Sequence, residues 1–145
     1  MAGLDSPSRA AAFGTTRGNL QGLDLFRGID VGALEAYLEA CSVRALSAGE
    51  VLLSPDENND HLFAVLEGEV IVQLARDSQE PLVTIKAGAC VGEMSFVDGE
   101  RPSAYVVAAH SCLVLVIPHD TLWAMCNSAP LIARNLLALL AQRVR

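Results

Sequence analysis

The residues best suited to chemistry lie between Gly88 and Ala108, where glycines, one carboxylate and small hydroxyl side chains alternate with short apolar runs. This order predicts a strand end, a glycine turn, one short helical turn, a second glycine turn and a new strand. Backbone N–H groups in such a segment point into one concavity, and the start of the short helix adds a positive dipole end. Glu93 is predicted to lie at the mouth of that helix, where it can accept a hydrogen bond from a hydroxyl. The combination has the chemistry of a small sugar-phosphate site.

A purely structural explanation fits the same residues. Gly88, Gly92 and Gly99 can serve as turn glycines of an antiparallel roll. Glu93 can stabilise the N-terminus of its own short helix, since a carboxylate is favoured there in any case. The residues themselves leave both explanations open.

Length and composition predict one domain with an aliphatic core, because the chain has 145 residues of which 52% are hydrophobic and 5% aromatic. A formal charge of −7 argues against binding nucleic acid or an anionic membrane surface, since both need a basic face. No apolar run approaches the roughly 20 residues of a membrane span, and no basic segment followed by an apolar one marks a secretory signal. We therefore expect a cytoplasmic protein.

The cysteines and histidines argue against a metal or redox site. Cys41, Cys90, Cys112 and Cys126 form no C-x-x-C pair, so we expect free, buried thiols in a reducing compartment. The three histidines show no ligand spacing, although a small metal enzyme on a roll of this kind needs two or three converging histidines. We expect no cofactor, no metal and no catalysis by this segment.

The pattern along the chain predicts a flexible leader over residues 1–18 and one domain over residues 19–145. Leu20, Leu23, Leu25 and Phe26 are predicted to form one apolar patch, and Asp30 to cap a following helix. Short apolar runs between turn residues then predict an antiparallel sandwich or barrel. The predicted strands are Val43–Leu46, Val51–Leu53, Leu62–Leu66, Val70–Leu74, Leu82–Ile85, Tyr105–Ala108 and Cys112–Ile117.

Two helices are predicted after Pro118. Asp120 is the expected cap of the first, and Pro130 fits the first turn of the second. The last helix carries two apolar rows, one of Ile132, Leu136 and Leu139, the other of Ala133, Leu137, Leu140 and Val144. Either both rows form one wide core face, or one packs on the domain while the other meets a partner, as in a homodimer formed through residues 131–145. Because no glycine cap or breaker follows, we expect the helix to continue into a further domain.

The order of these elements resembles the cyclic nucleotide-binding domain family, which includes the catabolite activator protein and the regulatory subunits of cAMP-dependent kinase. The segments that carry the resemblance are Gly49–Val51, Leu62–Val70, Gly92–Ser95 and Ser103–Ala108, within a match from about Leu20 to Arg145. The resemblance implies an eight-stranded antiparallel jelly roll with N-terminal helices, a short cassette helix and two C-terminal helices. Residues 88–108 would form the phosphate-binding cassette, and the name cassette is kept for them below.

The resemblance also implies residue roles. Glu93 would accept from the ribose 2′-hydroxyl of cAMP or cGMP, the N–H groups of Gly92 and Met94 would line the pocket, and a residue of the last helix would close over the base. Ser103 and Ala104 would offer an amide or hydroxyl to the phosphate. The full set of implied ligand contacts is Gly92, Glu93, Met94, Ser95, Arg101, Ser103, Ala104 and Asn135.

One position departs from the family pattern. The family places an arginine nine residues after the glutamate, to pair with the cyclic phosphate, and here that position is Pro102. Arg101 precedes it by one residue, a shift that in an extended strand turns the side chain to the opposite face. Either Arg101 faces solvent, or a local bulge brings it inward as the phosphate partner.

We therefore expect a regulatory sensor that binds a cyclic nucleotide or a related small ligand and signals through its C-terminal helices. The segments 116–125 and 133–137 resemble sensor domains that precede GGDEF-type diguanylate cyclase domains. The sensor part of a helix-turn-helix regulator is an alternative output. A ligand-free fold that acts in dimerisation is the alternative function.

Overall fold

Two four-stranded antiparallel sheets form the centre of the structure, a computed structural model that describes residues 17–78 and 80–144. The strands are β1 Ser42–Leu46, β2 Val51–Leu53, β3 His61–Glu67, β4 Glu69–Gln73, β5 Val83–Lys86, β6 Cys90–Val91, β7 Tyr105–Ala108 and β8 Cys112–Pro118. One sheet has the order β1-β8-β3-β6 and the other β2-β7-β4-β5. The predicted eight-stranded jelly roll is confirmed.

Helices precede and follow the roll in the sequence, and one short helix is inserted between β6 and β7. They are α1 Arg17–Gln21, 3₁₀ turns at Asp24–Phe26 and Val31–Leu34, α2 Glu35–Leu38, α3 Glu93–Asp98, α4 His119–Ser128 and α5 Pro130–Val144. The predicted leader, residues 1–18, lies outside the described residues except for its last two positions, which begin α1. Asp30 caps as predicted, accepting from the N–H of Gly32 at 3.0 Å. The cap predicted at Asp120 is wrong, because α4 begins one residue earlier, at His119, and Asp120 lies within its first turn.

The core has two layers because β3 and β8 are buried on both faces. Leu62, Ala64 and Leu66 face the helices, whereas Phe63 and Val65 face the second sheet. A strand buried on both faces reads as a continuous apolar run and not as an alternation, which is the pattern of Leu62–Leu66. The predicted N-terminal patch is confirmed, since Leu20, Leu23, Leu25 and Phe26 are all buried in the helical layer.

The two apolar rows of the last helix differ in how deeply they are buried. Ile132, Leu136 and Leu139 are buried against the domain, whereas the Leu137 side chain is 66% exposed. Leu137 therefore faces outward, whereas Ala133 and Leu140 of the same row are partly buried and Ala133 packs against the core. Pro130 is the first residue of α5, where its missing N–H costs no helical hydrogen bond.

No single helix among the described residues is long and apolar enough to cross a membrane. α4 and the part of α5 up to Arg143 meet the length and composition limits only as a pair, and the two are bent by 119° at their junction.

Candidate functional site

The cassette helix α3 begins and ends at glycines in the left-handed region of backbone space. Gly92 precedes the helix with a φ of 92°, and Gly99 follows it with a φ of 72°. At Gly92 the neighbouring chain is also close, since an added Cβ would lie 2.7 Å from the His61 carbonyl oxygen. Any other residue is disfavoured at Gly92 for both reasons. The turn from β6 into α3 therefore depends on glycine, and it holds Glu93 in place.

A pocket of about 110 Å³ opens between the cassette, the second sheet and the end of α5. Its walls are mostly apolar, with a few polar groups that converge on one side. The lining residues are Leu53, Val72, Val91, Gly92, Glu93, Met94, Ser95, Pro102, Ser103, Ala104, Val106 and Arg143. An apolar cleft with few convergent polar groups is the usual form of a small-molecule site.

Glu93 and Arg143 form an ion pair at this pocket. Nη1 of Arg143 donates to Oε2 of Glu93 at 2.7 Å, and the Glu93 side chain is only 3% exposed. Nη2 of the same guanidinium donates to the Cys90 carbonyl oxygen at 2.7 Å. The last turn of α5 is thus fastened to the strand and the helix that build the cassette. A carboxylate buried to this degree needs such a partner, because an unpaired buried charge is costly.

The Cys90 thiol beside this pair is not a nucleophile at neutral pH. Burial, and after it the negative charge of Glu93, raise the pKa of Cys90 to about 12. All four cysteines are free and buried, as the sequence predicted. Within residues 17–78 and 80–144, no group of three or more His, Cys, Asp or Glu side chains is placed to hold a metal ion.

The structure brings together six of the eight predicted contact residues: Gly92, Glu93, Met94, Ser95, Ser103 and Ala104 all line the pocket. Their roles toward a ligand stay predictions. The other two, Arg101 and Asn135, lie elsewhere.

The prediction that Arg101 lines the ligand site needs correction. Nε of Arg101 donates to Oδ1 of Asn58 at 3.2 Å in an exposed contact, whereas its neighbour Pro102 lines the pocket. The one-residue offset therefore separates the two positions, with Pro102 at the pocket and Arg101 in an exposed contact.

The prediction that Asn135 closes over a base also needs correction. Nδ2 of Asn135 donates to the carbonyl oxygens of Leu25 and Arg27, at 2.8 and 3.0 Å. The amide holds α5 against the 3₁₀ turn at Asp24–Phe26. An amide among apolar residues is therefore explained here by backbone carbonyls of the same chain.

The sequence reasoning missed Arg143 as a site residue. It lies four positions after Leu139 and continues the spacing of the buried row Ile132, Leu136 and Leu139. A cation at the end of a buried row signals a buried anionic partner, and that signal was available in the sequence.

Aromatic side chains connect the cassette to the C-terminal helices. The ring of Phe96, on α3, lies 4.5 Å from that of Trp123 and 5.3 Å from that of His119, both on α4. α3 thus contacts α4 through these rings and α5 through the pair of Glu93 and Arg143.

Comparison with known proteins identifies the family. The family model for the cyclic nucleotide-binding domain matches residues 43–129, which include the cassette and most of the pocket. A cyclic nucleotide-gated potassium channel of Mesorhizobium japonicum is 32% identical over 109 residues, or 75% of this chain and 29% of the channel. The cyclic AMP receptor protein of Thermus thermophilus is 29% identical over 128 residues, or 87% of this chain and 59% of that protein.

Comparison with solved structures shows the same fold. The crystal structure of the Thermus thermophilus catabolite activator protein has a TM-score of 0.72 at 28% identity, covering 84% of this chain and 58% of that one. A cyclic nucleotide-binding domain from Methylobacillus flagellatus also gives 0.72, at 24% identity, which shows the fold alone, and covers 91% of this chain and 81% of its own. The chain thus spans 59% of the length of the receptor protein and 29% of the length of the channel. Since the family model matches more than half of the chain, including the cassette, this protein belongs to the cyclic nucleotide-binding domain family.

Proposed function

We propose that this domain is a regulatory sensor that binds a cyclic nucleotide, cAMP or cGMP, in the pocket of the cassette. Domains of this family regulate and do not catalyse. In the proposed complex the ribose hydroxyl donates to Glu93, and the backbone N–H groups at the start of α3 face the phosphate.

The observation that carries the proposal is the nearly complete burial of Glu93 at the start of α3, in a pocket whose walls are mostly apolar. Only one oxygen of this carboxylate is engaged by Arg143, which leaves the other to accept from a hydroxyl. The relatives support the choice of ligand, since their names refer to cyclic AMP and cyclic nucleotides.

Signalling in this proposal follows from the size of the pocket. A volume of about 110 Å³ is small beside the roughly 300–1,000 Å³ of typical ligand pockets. A nucleotide therefore needs more room than the pocket has, and we expect a shift of the last turn of α5 to provide it. Ligand binding thereby favours a different position of α5, as population shift requires.

We further propose that α5 passes this shift to an output domain of diguanylate cyclase type. The support is the sequence resemblance of segments 116–125 and 133–137 to sensors of that kind. A helix-turn-helix output is the alternative, favoured by the likeness to the Thermus receptor protein.

Titration calorimetry of the chain with cAMP, cGMP and cyclic di-GMP tests the proposal. We expect micromolar binding of cAMP or cGMP, and a loss of at least tenfold in Glu93→Gln, because a charge-assisted hydrogen bond becomes a neutral one. Glu100→Gln is the matched control, since Glu100 is exposed just beyond α3 and does not line the pocket. A second readout is the fluorescence of Trp123, the only tryptophan of the chain, which packs on Phe96 of α3.

A second candidate function is a ligand-free dimerisation domain. Two observations favour it: Pro102 lines the pocket where the family places a cation, and Leu137 is exposed on α5. The absence of heat with all three nucleotides, together with a stable dimer in solution, would favour this candidate over the sensor.

A further inference from the structure

The pocket holds one buried carboxylate, so an anionic ligand needs a cation close by. Two negative charges about 4–6 Å apart repel each other strongly in a site that excludes water. The overall charge of −7 gives no compensation from the rest of the chain. Among the described residues that line the pocket, Arg143 is the one basic side chain.

Arg101 does not provide this cation. Its guanidinium bonds Asn58 at 3.2 Å in an exposed contact, and Pro102, not Arg101, lines the pocket.

Arg143 has donors to spare. A guanidinium carries five N–H donors, and the two contacts to Glu93 and Cys90 use one on each terminal nitrogen. The remaining donors suit the bidentate recognition of phosphate oxygens. With a side chain that is 31% exposed, Arg143 can also reorient without breaking the core packing of α5.

We infer that Arg143 is the phosphate-binding residue of this pocket, supplied by the last turn of α5 in place of a cation from the cassette. Without ligand, the guanidinium is held by Glu93 and the Cys90 carbonyl. With ligand, its remaining donors bind the cyclic phosphate while the second carboxylate oxygen of Glu93 accepts from the ribose. The inference rests on the proposed function and adds to it the residue that recognises the anion. It also couples ligand charge directly to the position of α5.

Calorimetry with cAMP and cGMP tests this on four proteins: the native chain, Arg143→Gln, Arg143→Lys and Arg101→Gln. Arg143→Gln is expected to weaken binding by about 30-fold or more, the loss of a charge-assisted bidentate contact. Arg143→Lys keeps the charge without the planar fork, so about a tenfold loss is expected. Arg101→Gln, the matched control, is expected to stay within about twofold.

Thermal unfolding followed by circular dichroism checks that each variant folds. If Arg143→Gln does not fold, Arg143→Lys carries the test, because a purely structural role gives no loss of affinity in a variant that folds. Unchanged or tighter binding in the folded Arg143 variants overturns the inference and leaves the proposed function standing. A loss of nucleotide affinity confined to Arg101→Gln also overturns the inference and leaves the proposed function standing. If the native chain binds neither nucleotide, the proposed function fails and this inference fails with it.

Discussion

At the scale of single residues, Gly92 and Gly99 allow a comparison between two glycines at the ends of one helix. Both have positive φ angles, but an added Cβ meets the His61 carbonyl at Gly92 and finds nothing within 4 Å at Gly99. We expect Gly99→Ala to cost about 1 kcal/mol of unfolding free energy, the penalty of the left-handed conformation. Gly92→Ala adds a steric clash, and we expect about 2–4 kcal/mol.

Urea unfolding of both variants measures this difference, with the native chain as reference. Since Gly92 also sets the start of α3, its variant is expected to lose ligand affinity as well, whereas Gly99→Ala keeps it. Equal destabilisation by the two substitutions would contradict the close approach at His61.

His119 makes the stability of the domain depend on pH. Burial lowers the pKa of His119 below its usual value of 6.5, and the buried Nε2 has no hydrogen-bond partner among the described residues. A lowered pKa means that the unfolded chain binds the proton more tightly, so stability rises with pH in this range. The contribution is complete above about pH 6.5 and is lost as the pH falls through the folded-state pKa.

We expect the unfolding free energy to fall between pH 7.5 and pH 5.5, and His119→Gln to reduce that fall. Urea midpoints at both pH values measure it. His110→Gln is the control, because His110 is exposed. A pH dependence that is the same in native protein and His119→Gln would rule out His119 as its source.

At the scale of elements, most strands could be predicted because their patterns are local. The seven predicted strands agree with the structure within one residue at each end, since turn residues separate them clearly. β6 was missed, because two residues carry no periodicity. The pairings β3·β8 and β1·β8 depend on contacts between distant segments, which spacing alone does not fix.

Only the cassette part of the candidate site could be predicted from the sequence. Glu93 and its neighbours lie within a short stretch of sequence, and local turn chemistry places them together. Arg143 lies 50 residues later, and only the packing of α5 brings it to Glu93. The sequence suggested Asn135 as the residue of the last helix that closes over the base, whereas the residue of α5 that reaches the pocket is Arg143.

Asn135 fixes where α5 lies on the domain. Its amide satisfies two backbone carbonyls that would otherwise lack this partner, so we expect Asn135→Ala to cost about 1–3 kcal/mol. Because Asn135 does not line the cassette pocket, nucleotide affinity is expected to change by less than about threefold, well under the tenfold that 1.4 kcal/mol represents. Thermal unfolding and calorimetry on the same samples measure both quantities.

Asn127→Ala is the control for this variant, since Asn127 is exposed near the end of α4. A large loss of nucleotide affinity with unchanged stability in Asn135→Ala would instead show that Asn135 takes part in ligand binding.

At the scale of the whole molecule, two contacts link the cassette to the C-terminal helices. One runs from Glu93 directly to Arg143, and the other from Phe96 through Trp123 on α4. Both contacts end on helices whose buried side chains pack in the helical layer of the core. The effect of any movement of α5 depends on what covers Leu137, which lies on the outward side of this helix.

We expect Leu137 and the outward side of α5 to be covered by a second copy of the chain. Leu137 is 66% exposed, and a fully buried leucine contributes about 1.5–3 kcal/mol, twice over in a two-fold symmetric interface. Leu137→Glu is therefore expected to shift the chain from dimer to monomer in sedimentation equilibrium. Leu74→Glu is the matched control, because Leu74 is 71% exposed just after β4 and away from α5. A native chain that stays monomeric at the highest accessible concentration, or a dimer that survives Leu137→Glu, would place the signal from the pocket in α5 of a single chain and not in a helix pair.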